Sequence, residues 1–171
     1  SGSRQGTSCA YQRTVQAPRF TSIAPSSIPP KPKHESGIRN FRTTLEVLIV
    51  DDDDETLELI GRWIGRLGHR VRFAQDAPRA LEMLDERPAD VVISDWDMPG
   101  MTGAELCAIL RQREDDEPYT YFIILTGFDD REHLLAGMAA GADDYQRKPV
   151  NLDELEARLV SASRVVDLHR R

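Results

Sequence analysis

Blocks of apolar and polar residues alternate along the chain from residue 45 onward. Short apolar runs predict β-strands at 45–50, 69–74, 89–95, 119–126 and 143–149. Between them, apolar residues recur at helical spacing and predict α-helices at 54–68, 76–88, 103–113, 130–142 and 151–169. Most of the strands lack polar alternation, which is typical of a parallel sheet covered on both faces. The pattern therefore predicts a doubly wound α/β domain.

Residues 1–44 differ from the rest of the chain. They are rich in Ser, Thr and Pro without apolar periodicity, so we expect a disordered leader. This leader carries a net charge of +6, and because the whole chain carries −7, the remaining residues carry −13. Such an acidic folded part argues against nucleic acid as a direct partner, because phosphates are bound through Lys and Arg.

The cysteine, histidine and hydropathy patterns bear on the cellular compartment, on membrane association and on metal binding. Cys9 and Cys107 have no paired spacing, which favours a reducing, cytoplasmic compartment. No apolar stretch reaches the roughly 18 residues of a membrane span, so no membrane partner is expected. Four histidines are scattered along the chain, at His34, His69, His133 and His169. They lack metal-ligand spacing, and we expect surface positions for them.

Polar residues stand where the predicted strands end. Asp51 and Asp52 follow the first strand, Asp95 ends the third, Thr126 ends the fourth and Lys148 ends the fifth. In doubly wound sheets the working site lies at the carboxyl ends of the strands, so we expect these side chains to meet at one edge.

The run of four aspartates at 51–54 suggests a metal site. Crowded carboxylates raise one another's pKa unless a cation holds them, and oxygen ligands with room for water fit Mg²⁺. We expect Asp51 and Asp52 to be the ligands and Asp53 or Asp54 to cap the following helix. Taken alone, the run fits a solvated loop with one helix cap equally well.

Asp95 lies in the stretch "SDWDMPGMTG" and is a candidate nucleophile. A carboxylate can attack phosphorus to give an aspartyl phosphate if a metal and a fixed cation neutralise the phosphoryl oxygens. Lys148 would supply the cation, and Thr126 would donate a hydrogen bond to a phosphoryl oxygen.

Four motifs in order carry a family resemblance: Asp51–Asp52 after "VLIV", "SDWDMPGMTG" around Asp95, "ILTG" with Thr126, and "GADDYQRKPV" with Lys148. At this spacing the chain resembles a response-regulator receiver domain of two-component signalling over residues 45–168. The resemblance implies a flavodoxin-like (βα)5 fold, a five-stranded parallel sheet with strand order 2-1-3-4-5.

The resemblance also implies a ligand set for Mg²⁺. Asp52 would bind the ion directly, and Asp51 more often through water. Asp95, the phosphoacceptor, would also be a ligand, and Asp97 would contribute its backbone carbonyl.

The resemblance further implies a conformational switch. Thr126 would move toward the phosphoryl group and Tyr145 would rotate inward behind it, reshaping the face of the fourth helix, fifth strand and last helix. The Lys148–Pro149 bond would be cis. A plain core role for Tyr145 remains an alternative.

The implied function is a bacterial, cytoplasmic signalling switch rather than an enzyme in the usual sense. A histidine kinase or phosphotransfer protein would phosphorylate Asp95, with self-catalysed transfer and slow autodephosphorylation. The switch would control an output domain or downstream protein, with a homodimer through the face named above. The alternatives are a phosphorylation-independent receiver-like interaction module and a phosphatase of the haloacid-dehalogenase type, in which Asp95 and Asp97 would form the aspartate pair.

The last helix sets the predicted domain boundaries. Its apolar residues follow 3,4,3,4 spacing, at Leu152, Leu155, Leu159, Ala162 and Val166. We expect core packing as far as Leu159. The receiver domain is therefore predicted at 45–160, and residues 161–171 are predicted to extend the helix toward an output domain, with a weak likeness to helices that precede diguanylate cyclases.

Overall fold

The computed structural model describes residues 43–113, 118–127 and 131–170, in which strands and helices alternate. The strands are β1 (Glu46–Val50), β2 (Arg70–Ala74), β3 (Val91–Asp95), β4 (Tyr121–Thr126) and β5 (Asp144–Arg147). The helices are α1 (Asp54–Arg66), α2 (Ala77–Glu86), α3 (Gly103–Arg111), α4 (Arg131–Ala139) and α5 (Leu152–His169). Each element lies within its predicted range. Most are a few residues shorter than predicted, because a strand or helix extends only as far as its backbone hydrogen bonds.

The five strands form one sheet in the order β2-β1-β3-β4-β5, and every pair is parallel. This confirms the predicted fold and strand order. Because the strands are parallel, all of their carboxyl ends lie along the same edge of the sheet. We call this the carboxyl edge.

Two hydrophobic layers cover the sheet. Alternate residues of β1 point to opposite faces, as the pleat requires. Val47 and Ile49 belong to the layer that contains α1 and α5, and Leu48 and Val50 to the layer that contains α2 and α3. Both faces of the central strands are thereby buried, which explains their continuous apolar sequences.

Side-chain caps fix where four of the described helices begin, and three of these caps lie in the first part of the domain. Asp53 accepts hydrogen bonds from the backbone of the first turn of α1, so Asp53 rather than Asp54 is the cap. Asp76 caps α2, and Thr102 forms a capping box with Glu105 at the start of α3.

Helix α5 packs on the domain along most of its length. Ala162 and Val166 are buried in the same layer as Leu155 and Leu159, whereas Leu168 is 74% exposed. Core packing therefore continues past Leu159, beyond what the sequence led us to expect. The physical reason is that α5 runs back along the sheet to the amino ends of the strands, whose inner side chains also need cover.

Two polar contacts hold the last turns of α5 at the amino end of the sheet. Thr43 Oγ1 donates to Asp167 Oδ1 at 3.1 Å, and Arg170 pairs with Asp90 at 2.5 Å. The predicted leader lies outside the described residues except for Thr43 and Thr44, and the role of residues 161–171 as a linker remains a prediction.

One histidine departs from its expected surface position. His69 is only 6% exposed, and its Nδ1 accepts a hydrogen bond from the Leu45 backbone at 3.2 Å. The surface expectation is wrong for His69 because its ring is buried against the backbone of Leu45, just before β1. His34 lies outside the described residues. None of the helices in the described part of the chain is long and apolar enough to cross a membrane.

Candidate functional site

Three aspartates meet at the carboxyl edge. Asp51 and Asp52 follow β1, and Asp95 is the last residue of β3, the neighbouring strand. One carboxylate oxygen from each lies within 4.8 Å of the other two. Asp51 is fully buried, Asp95 is 7% exposed and Asp52 is open to solvent. We call these three residues the acidic cluster.

Lys148 joins two members of the acidic cluster. Its Nζ lies 2.9 Å from Asp51 Oδ2 and 2.9 Å from Asp95 Oδ1. Its backbone N–H donates to the Thr126 carbonyl at 2.8 Å, and the following peptide bond to Pro149 is cis, as the resemblance implies. The end of β4 therefore positions the lysine that reaches across to β1 and β3.

Backbone contacts also orient the buried carboxylate. Asp51 Oδ1 accepts from the Asp53 backbone N–H at 2.9 Å, while Oδ2 takes the Lys148 ammonium. Within the described residues, Asp52 makes no hydrogen bond or ion pair. The loop thus holds one carboxylate inward and leaves the other free to take a ligand from solvent.

Burial and charge compete at Asp95. Burial raises the pKa of the Asp95 carboxyl, the Asp51 charge adds to this, and the Lys148 ammonium offsets only part of it. At Lys148, burial alone would lower the pKa, but the hydrogen bonds and charges of Asp95 and Asp51 outweigh it and the pKa is raised. Lys148 therefore stays charged between the two carboxylates.

The remaining predicted residues lie around this centre. Thr126 is the buried last residue of β4, on the strand next to β3. Asp97 is exposed in the loop after Asp95. The structure thus joins Asp51, Asp95 and Lys148 through ion pairs, brings a carboxylate oxygen of Asp52 within 4.8 Å of the other two aspartates, and places Thr126 on the strand next to β3.

Tyr145 lies apart from the acidic cluster, beneath α4. A Cβ atom on Gly137 of α4 would fall 1.7 Å from the Tyr145 hydroxyl, so only glycine leaves room for the ring there. Among the described residues this buried hydroxyl has no hydrogen-bond partner, and burial raises the Tyr145 pKa to about 12. The half-buried ring is part of the contact between β5 and α4.

Two further residues shape the site without a sequence signal that would have found them. A Cβ atom on Gly103, at the start of α3, would fall 2.2 Å from the Asp95 carbonyl oxygen, so glycine allows α3 to begin against the acceptor strand. His133 of α4 meets Trp96 edge to face, with ring centroids 5.2 Å apart at 71°. The first contact joins residues eight positions apart, and the second joins residues 37 positions apart.

The chemistry of the donor set fits a hard divalent cation. The acidic cluster offers carboxylate oxygens from two buried residues and one exposed residue, and Asp52 leaves access for water. Mg²⁺ prefers one or two carboxylates together with waters and phosphate oxygens. The cluster therefore suits Mg²⁺ better than a softer metal that favours nitrogen or sulfur ligands.

Comparison with known proteins places this site in a family. Residues 47–160 match the family model described as the response regulator receiver domain. The chain belongs to this family. Response regulator MprA of Mycobacterium sp. (strain KMS) is 39% identical over 115 residues, which cover 67% of this chain and 49% of that protein. MprA of Mycobacterium bovis (strain BCG / Pasteur 1173P2) is 38% identical over 116 residues, which cover 68% and 49%.

Solved structures agree with this membership. The receiver domain of Francisella response regulator 1452 aligns with a TM-score of 0.65 and 32% identity, covering 71% of this chain and 98% of that chain. The chemotaxis response regulator CheY4 of Vibrio cholerae aligns with a TM-score of 0.65 and 31% identity, covering 70% and 99%. The receiver domain thus accounts for most of the described residues, while the chain spans about half the length of the MprA proteins.

The receiver fold also bears on the phosphatase alternative. In haloacid-dehalogenase enzymes the nucleophilic aspartate follows the first strand, whereas Asp95 ends the third strand here. The family match and the strand position together argue against that alternative.

Proposed function

We propose that this receiver domain is a phosphorylation-dependent switch that accepts a phosphoryl group on Asp95. The observation that carries the proposal is the Lys148 ammonium, which lies 2.9 Å from both Asp51 and Asp95 in a cluster of three carboxylates. A purely structural ion pair would need only one carboxylate for the Lys148 ammonium, whereas three are present here. The extra negative charge beside the Asp95 oxygens suits a site that binds a cation and then a phosphoryl group.

The donor would be the phosphohistidine of a histidine kinase or phosphotransfer protein. An oxygen of the ionised Asp95 carboxylate attacks phosphorus, the P–N bond breaks, and its electron pair leaves with the imidazole, which takes a proton from solvent. Lys148 faces Asp95 Oδ1 and would neutralise a phosphoryl oxygen as charge develops. Thr126 would donate its hydroxyl to another phosphoryl oxygen.

Mg²⁺ would be held by Asp51, Asp52 and Asp95, with the backbone carbonyl of Asp97. When bound, the ion supplies positive charge that neutralises the phosphoryl oxygens. The Asp51 carboxylate also accepts a hydrogen bond from the Asp53 backbone N–H. This hydrogen bond holds the loop that carries Asp51 and Asp52 in place.

The readout would be the face formed by α4, β5 and α5. Thr126 moves toward the phosphoryl group, and Tyr145, packed against Gly137, changes its position under α4. This change would control an output domain or downstream protein, or a homodimer through the same face, in the cytoplasm. Autodephosphorylation would be slow and self-catalysed.

The test is intact-mass analysis after incubation with acetyl phosphate and Mg²⁺. The wild type is expected to gain one phosphoryl group, and Asp95→Asn none, because the amide is not a nucleophile toward phosphorus. Omitting Mg²⁺ is expected to abolish the adduct.

Asp97→Asn is the matched control, since it removes a carboxylate from the same loop but keeps the backbone carbonyl. Its adduct is expected to persist. An unmodified wild type that still binds Mg²⁺ would reject the phosphoacceptor role and favour the phosphorylation-independent interaction module.

A further inference from the structure

Trp96 is held firmly beside the acceptor residue. Its backbone N–H donates to the Leu125 carbonyl at 2.8 Å, and its carbonyl accepts from the Gly103 N–H at 3.0 Å. The side chain is only 8% exposed. Because Trp96 is bonded to Asp95 and tied to both β4 and α3, its ring has a defined position relative to the site.

Helix α4 meets this ring through His133. The two rings adopt an edge-to-face arrangement, with centroids 5.2 Å apart at 71°, a geometry that aromatic pairs favour. His133 lies near the start of α4, the end of the helix that faces the carboxyl edge.

A second contact lies one turn further along α4. Gly137 packs on the Tyr145 hydroxyl, and residues four apart share a helix face, so His133 and Gly137 lie on the inner side of α4. Tyr145 stands three residues before Lys148, and Trp96 one residue after Asp95. Helix α4 therefore contacts Trp96, which directly follows Asp95, and Tyr145 of β5, the strand that leads to Lys148.

The outer side of α4 carries exposed apolar residues. Leu135 is 52% exposed and Met138 is 60% exposed. Neither shares the His133–Gly137 face, because they are two and five positions from His133 rather than three or four. A shift of the inner contacts would move these side chains relative to the rest of the surface.

We propose that His133 is a positioning residue that holds the first turn of α4 on Trp96 and couples this helix to the state of Asp95. The coupling rests on the proposed function, whereas the holding contact exists without phosphorylation. The proposed role of His133 is exerted through its ring contact with Trp96 and not as a ligand of metal or phosphoryl group. Its loss is expected to leave Asp95 chemistry intact while α4 loosens and stops responding.

Hydrogen–deuterium exchange of the peptide that covers α4 tests this proposal on the full chain. The variants are His133→Ala, His133→Phe, which keeps an aromatic edge, and Leu135→Ala, a control on the outer side of the same helix. Each is measured alone and with acetyl phosphate and Mg²⁺, and the phosphoryl adduct is followed by intact mass in the same samples.

Without phosphodonor, exchange in α4 is expected to rise about two- to tenfold in His133→Ala, the range for loss of one aromatic pair. His133→Phe should restore wild-type exchange, and Leu135→Ala should match the wild type. Unchanged exchange in His133→Ala would overturn the proposal, even if the wild type takes up no phosphoryl group and the proposed function itself fails.

With phosphodonor, wild-type α4 exchange is expected to change, and His133→Ala should keep its adduct but lose that change. A phosphorylated His133→Ala protein whose α4 responds as in the wild type would overturn the coupling. A wild type without adduct would instead reject the proposed function, which the mass measurement distinguishes.

Discussion

Burial acts in opposite directions on two titratable residues of this domain. It raises the pKa of the Asp95 carboxyl and lowers the pKa of the His69 imidazole, because in both cases it disfavours the charged form. At Asp95 the Lys148 ammonium offsets part of this effect. At His69 the contact through Nδ1 requires an unprotonated nitrogen, so the backbone hydrogen bond from Leu45 reinforces the neutral state.

His69 should make the stability of the domain depend on pH. Its pKa is lowered in the folded protein from the ordinary value of 6.5, so below that pH the unfolded chain binds a proton that the folded protein resists. Its contribution is complete above pH 6.5 and is lost as the pH falls toward the folded-state pKa. The unfolding free energy should fall by about 1.4 kcal/mol for each unit of lowering.

Urea unfolding of the wild type and of His69→Asn between about pH 8 and pH 5 measures this effect. The Asn side chain can accept the Leu45 N–H bond but does not titrate. The wild type should lose stability relative to the variant as the pH decreases. Parallel pH profiles for the two proteins would show that His69 contributes nothing to the dependence.

Among the elements, α5 packs against the hydrophobic core along most of its length. Asn151 caps its first turn by accepting from the Asp153 and Glu154 backbone, and the helix then covers the sheet as far as Val166. The change from buried Val166 to exposed Leu168 occurs within one turn. Position on the helix face, rather than apolar character, decides which of the two contributes to stability.

Val166→Ala is therefore expected to lower the unfolding free energy by about 1–3 kcal/mol, because it removes two buried methyl groups and leaves a cavity. Leu168→Ala, a larger truncation at a position 74% exposed, should change it by less than about 0.5 kcal/mol. Denaturant unfolding measures both. Equal effects of the two variants would mean that α5 leaves the core before Val166.

At the scale of the whole molecule, the fold concentrates negative charge at one edge. Residues 45–171 carry a net charge of −13, and three of the carboxylates face one another within 4.8 Å. Lys148 neutralises part of this charge and is the link between β5 and the first and third strands. Like charges this close raise the free energy of the folded state, so a cation bound at the acidic cluster should stabilise the domain.

Mg²⁺ is expected to raise the melting temperature of the domain in a saturable way, and a chelator should reverse the increase. A ligand that binds only the folded state adds about 2.7 kcal/mol at about 100 times its dissociation constant. Asp52→Asn should weaken the response. Asp54→Asn removes one charge from the same run of aspartates but lies outside the acidic cluster, so it should keep the full response to Mg²⁺. An equal loss of the response in both variants would indicate that Mg²⁺ acts by general screening of negative charge instead.

Much of the fold was readable from the sequence for a physical reason. A strand buried on both faces must be apolar throughout, and a helix that covers it must repeat its apolar residues at helical spacing. The order of strands and helices can therefore be predicted from the hydrophobic pattern of the sequence. The extent of core packing along α5 was harder to predict. Core burial of Ala162 and Val166 depends on how far the sheet extends beneath α5, which no local pattern encodes.

The sequence by itself determined which residue types stand at the strand ends, and hence that Asp51, Asp52, Asp95 and Lys148 gather at the carboxyl edge. Only the tertiary structure decided that Lys148 contacts Asp51 and Asp95 equally, that His69 is buried and that His133 reaches Trp96. Parallel pairing brings the carboxyl ends of the strands to one edge of the sheet, whatever the connections between the strands contain. Knowing which residues end the strands is therefore enough to predict that they meet. Contacts such as that between His133 and Trp96 depend instead on helix position and side-chain direction, which packing of the whole domain sets.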